Sequence, residues 1–91
     1  MADLHLPMKG IYFDQIARGE KPFEYRLVNE YWCKRLLVRT YDRIVLTRGY
    51  PKGGGIDGKT RLVRPWRGCG IEMITHDHFG PKSVCVFAIP V

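Results

Sequence analysis

Lys21, Glu24 and Arg26 stand within six positions of one another, and together they hold the functional groups for handling a nucleotide. A carboxylate can accept a hydrogen bond from a base amino group while two cations reach phosphate. The same groups could run a hydrolysis, with Glu24 activating a water and Lys21 stabilising the developing negative charge, so these two are the catalytic candidates if the chain is an enzyme. They could equally form an ion-pair cluster that serves the fold alone. Two further places combine a cation with an aromatic ring. Arg48 and Tyr50 flank a glycine, so that the ring could stack on a base while the guanidinium meets phosphate; Arg64 and Trp66 flank a proline and offer the same pairing. Tyr50 packing its own loop and Trp66 lying in the core are the competing readings.

Two motifs are set aside. Gly53-Gly54-Gly55-Ile56-Asp57-Gly58-Lys59-Thr60 matches the phosphate-loop pattern letter for letter. That pattern works where a strand enters the loop and a helix leaves it, so that amide groups and the helix dipole converge on phosphate. Here Pro51 precedes it and Arg61-Leu62-Val63-Arg64-Pro65 follows as a strand, so a basic, mobile loop is expected. His76 and His78 with Cys69 lack the paired spacing of a zinc site, and a turn in which His76 or Asp77 caps backbone groups is expected instead. No metal and no cofactor is implied.

The elements that must carry these groups follow from periodicity. His5 to Met8 reads as a strand. Tyr12, Phe13, Ile16 and Ala17 mark a two-turn amphipathic helix closed by Arg18 and Gly19. Phe23 and Tyr25 alternate with Glu24 and Arg26, which predicts a strand with the aromatic residues inward and the charges on the other face. Asn29 is placed to cap a second helix running through Leu36. Ile44-Val45-Leu46 is the best candidate for a buried central strand, and residues 60–64, 69–75 and 84–91 supply three more, with Pro65 and Gly68 interrupting the pairing of the first two. Cys33 and Cys85 are expected to pack as small hydrophobes. This order predicts an α+β fold with a curled mixed sheet rather than a doubly wound one.

Ninety-one residues suffice for one hydrophobic core, so a single domain over residues 1–91 is expected, and a monomer. No apolar run is long enough to cross a bilayer, no basic region followed by an apolar run opens the chain, and three cysteines cannot all pair with one another; these features predict a cytoplasmic protein with no membrane contact. The net charge of +6 is unevenly spread: residues 34–67 hold ten Lys and Arg against Asp42 and Asp57. Such a block favours polyanions, although it could also serve only solubility.

Gly19, Lys21, Glu24 and Arg26 fit the pattern G-x-K-x-x-E-x-R, and here the chain resembles the ASCH domain, a relative of the PUA fold. The helix Tyr12 to Ile16, the segment Trp32 to Leu36, the strand Ile44 to Leu46 and the closing Val86 to Ile89 fall in that family's order. The resemblance implies a small mixed β-barrel of five or six strands with two helices on its side. It also implies a basic cleft lined by the octapeptide that binds RNA, single-stranded nucleic acid or a nucleotide-like small molecule. Some members resemble hydrolases of RNA or of N4-acylated cytidine. Those acting on acylated cytidine carry a threonine where this chain has Glu24, which favours binding over threonine-dependent hydrolysis.

Overall fold

A computed structural model describes residues 2–91. The chain runs β1 (Asp3–Met8), α1 (Gly10–Ala17), β2 (Phe23–Leu27), α2 (Glu30–Leu36), β3 (Arg43–Arg48), β4 (Arg61–Pro65), β5 (Gly70–His76) and β6 (Gly80–Pro90). It is an α+β protein whose six strands form two three-stranded sheets, and no closed barrel forms among the described residues. The contacts divide it into two compact units.

The first unit holds residues 2–22, 41–66 and 91. Its sheet has the order β1-β3-β4, with β1 parallel to β3 and β3 antiparallel to β4. As expected, Ile44-Val45-Leu46 lies in the central strand and is fully buried, with Leu4, Leu6 and Met8 of β1 beside it. Helix α1 packs on β3 and buries Phe13 and Ile16. Its end follows from the sequence: Gly19 takes φ 77°, its amide donates to Ile16 O and the Glu20 amide reaches back to Gln15 O. These two bonds satisfy carbonyls that a helix otherwise leaves open, and the left-handed φ suits glycine.

The second unit holds residues 23–40 and 67–90. Its sheet is antiparallel in the order β2-β6-β5. Central strand β6 is buried on both faces over Val86-Phe87-Ala88-Ile89. Asn29 caps α2 as expected, accepting from the Trp32 amide at 2.9 Å. His76 also acts as expected, its Nδ1 accepting from the His78 amide at 3.1 Å in the 3-10 turn Asp77–Phe79 that joins β5 to β6.

Three expectations are corrected. The single curled sheet is replaced by two sheets: β4 ends on Pro65, which has no amide hydrogen to donate, and β5 pairs with β6 instead. In β2 it is a charged residue that is buried, Glu24 at 4% exposure, while Phe23 and Tyr25 are only half-buried. Across the pairing, Glu24 and Arg26 stand opposite Ile89 and Phe87 of β6, which are fully buried. Cys85 is exposed rather than packed, and Cys33 is partly so.

Candidate nucleic-acid interface

The octapeptide that suggested a site is shared between the units. Gly19 and Lys21 lie in the first, and Glu24 and Arg26 in the second. In the first unit the Lys21 ammonium sits 5.7 Å from the centre of the Tyr12 ring. In the second, alternation along β2 puts Glu24 and Arg26 on the same face, and Arg26 Nη1 lies 2.8 Å from Glu24 Oε2. The Arg26 guanidinium also lies over the Trp32 ring of α2, 5.4 Å from its centre. A buried carboxylate is tolerable where a cation and further donors accompany it, and Glu24 Oε1 also accepts from the Tyr25 amide at 3.1 Å. Burial, with the Glu72 and Glu24 carboxylates nearby, raises the Tyr25 phenol above its ordinary range.

Arg48 and Tyr50 part ways. Nε and Nη2 of Arg48 both donate to the Asp14 carboxylate of α1, each at 3.2 Å. Gly10 makes room for this: a side-chain carbon there would stand 2.6 Å from the Arg48 guanidinium carbon. The pair holds the Asp14 carboxyl below the usual carboxylate range, the hydrogen bond from Arg48 being the main cause. Tyr50, by contrast, is 91% exposed at the start of the glycine loop. Arg64 donates to the carbonyl of its neighbour Val63 at 3.4 Å. Trp66 packs edge-on against Tyr41, with ring centres 5.2 Å apart, and is half-buried.

The phosphate-loop lookalike has the strand context expected of it. Pro51 leads into a 3-10 turn at Lys52–Gly54, and Lys59-Thr60 run into β4 rather than into a helix. The loop closes on itself through the Thr60 hydroxyl, which accepts from the Ile56 amide at 2.8 Å.

Charge separates the first unit from an ordinary solvated surface. It holds nine Lys and Arg against five Asp and Glu. Each of those acids is engaged: Asp3 with Arg43, Asp14 with Arg48, Glu20 with Arg18, Asp57 with Arg61, and Asp42 with the Ala2 amide. Lys9, Lys52, Lys59 and Arg64 form no ion pair among the described residues, so their charge is uncompensated at close range.

One feature of this unit lay outside sequence reasoning. On the face of the β1-β3-β4 sheet opposite Leu4 and Leu6, a cleft of about 280 Å³ is lined by His5, Val45, Thr47, Arg61, Gly53 and Gly54. Its residues come from both ends of the unit's sequence. The nearest sequence signal is the polar member of each alternating strand: His5 in β1, Thr47 in β3, Arg61 in β4.

Among the described residues, no helix is long and apolar enough to cross a membrane. No protein-family model matches the chain, and neither a curated protein nor a solved structure shows detectable similarity to it.

Proposed function

We propose that this chain is an ASCH-like module of PUA type that binds RNA or another single-stranded nucleic acid through the basic surface of its first unit. The observation that carries this reading is the charge arrangement. All five acids of that unit are committed to partners, while Lys9, Lys52, Lys59 and Arg64 leave a net positive field that a polyanion would neutralise. Tyr50 supports it, since an aromatic ring 91% exposed beside such a loop offers a base a stacking surface. Lys21 adds a cation to the same unit, and in the second unit Arg26, held by Glu24, supplies the remaining part of the ASCH-like pattern. Three free cysteines accord with a reducing compartment such as the cytoplasm. Glu24 is buried and already held by Arg26, so no observation favours hydrolysis as a second reading.

Equilibrium binding of a fluorescent single-stranded RNA across a salt series tests the proposal. Four phosphate contacts would give a slope of log affinity against log salt of about −3, from roughly −0.7 per contact on a single strand. Charge reversal at Lys52 and Lys59 together should flatten that slope by roughly 1 to 2. Binding that is absent, or indifferent to salt, overturns the reading.

A further inference from the structure

The cleft on the first unit's sheet has the size and chemistry of a pocket for one unstacked nucleobase. At about 280 Å³ it holds the volume of roughly nine waters at about 30 Å³ each, which matches a planar group of about ten heavy atoms and excludes a duplex. Its floor is Val45, a buried apolar residue on the sheet face that also carries His5, Thr47 and Arg61. A base can lie flat against such a floor and gain by leaving water. The neighbouring residue across the parallel register is His5, whose exposed ring adds a second π surface at the rim.

The polar groups at the opposite side distinguish among bases. The Thr47 hydroxyl donates to Gly49 O at 2.9 Å, so towards the cleft its oxygen acts as an acceptor. Arg61 uses Nη1 on Asp57 at 3.3 Å, and the two donors of its Nε–Nη2 edge make no protein hydrogen bond among the described residues. Two parallel donors require two adjacent acceptors on one edge of the ligand. Guanine presents O6 and N7 in that arrangement and cytosine presents O2 and N3, whereas adenine and uracil place a donor beside each acceptor on their pairing edges. Both favoured bases also carry an exocyclic amino group for an acceptor such as the Thr47 oxygen. Gly53 and Gly54 also line the cleft, with φ of 70° and 85°, and a side-chain carbon built on either meets no protein atom within 4 Å.

We propose that this cleft, lined by His5, Val45, Thr47 and Arg61 beside the glycine loop, receives one unstacked guanine or cytosine of a bound single strand, with Arg61 as the residue that selects it. The proposal rests on the nucleic-acid reading above and gives it a base preference that backbone charge cannot supply.

Short RNAs of uridines carrying one central guest base, guanine, cytosine, adenine or uracil, separate the two levels in a single equilibrium-binding experiment. The expected result is an approximately ten-fold or greater preference for the guanine or cytosine guest, the scale of one good two-donor contact. Arg61→Lys keeps the charge and removes the fork, so it should abolish the preference among the four guests. Thr47→Val, which retains volume, should reduce the preference without touching the salt slope. Equal affinity for all four guests, or a preference that survives Arg61→Lys, overturns the base pocket while RNA binding stands. Failure of every RNA to bind overturns the function and the pocket together.

Discussion

Each unit contains an arginine–carboxylate pair, and the two pairs are built to opposite specifications. Arg26 and Glu24 lie 2.8 Å apart with their side chains 17% and 5% exposed, opposite the buried stretch Val86–Ile89 of the neighbouring strand. Arg48 and Asp14 meet at 3.2 Å by a two-point contact, yet remain 48% and 41% exposed. The exposed pair is joined at two points and is expected to have the smaller role, because water screens it and can replace either partner. The buried pair has given up hydration on both sides, so each member depends on the other. Burial is therefore expected to decide what such a pair contributes.

The largest test follows directly. Arg26→Ala would leave the Glu24 carboxylate buried without its cation and should cost about 3–5 kcal/mol of folding stability. A chemical denaturation curve measures this, and a loss under about 1 kcal/mol would place the pair beside its exposed counterpart. Replacing both partners by apolar residues of similar volume, Glu24→Leu with Arg26→Met, should recover most of the loss, since the desolvation cost disappears with the charges. If the double variant stays as damaged as the single, the buried charges are required for more than mutual neutralisation. That result would favour a ligand-binding role for the octapeptide.

An intermediate effect is expected at Trp32, which lies under the Arg26 guanidinium. Trp32→Leu keeps an apolar group there and removes the ring face, so the loss should be about 1 kcal/mol, in the range of a partly desolvated cation–π contact. The same substitution in the Arg26→Ala background should cost less, because the cation is already gone. Equal losses in the two backgrounds would show that Trp32 acts by packing alone.

The contrast between the pairs was only half legible in the sequence. Local signals with local causes were readable: the helix end at Arg18-Gly19, the cap at Asn29, and the apolar triplet of β3. Alternation in Phe23-Glu24-Tyr25-Arg26 correctly separates two faces of β2. It cannot say which face is buried, because that is set by how the sheet packs once β2 pairs with β6, about sixty residues further along the chain. The same limit hid the cleft. His5, Thr47 and Arg61 come together only through the parallel β1–β3 register and the β3–β4 pairing, neither of which leaves a local pattern. Arg48 illustrates the limit for single residues, since its type suggested a phosphate contact and the fold gives it Asp14.

The smallest expected effect belongs to the exposed pair, and its pH dependence gives it a recognisable sign. Arg48 holds the Asp14 carboxyl below the usual value of 3.8, so the folded state binds that proton less readily than the unfolded chain does. The stabilisation is therefore fully present above about pH 4 and is lost as pH falls through the depressed folded value. Asp14→Asn should lower the melting temperature slightly at pH 7, and the difference from the parent protein should vanish in strong acid and shrink in high salt. Gly10→Ala makes a useful companion, because the added carbon displaces the far end of a flexible, half-exposed side chain rather than backbone. Alanine also favours the helix, so Gly10→Ala should break the pair with no net loss of stability. A destabilisation by Asp14→Asn at pH 7 as large as that of Arg26→Ala, or one that persisted unchanged into strong acid, would show that exposure does not set the worth of these pairs.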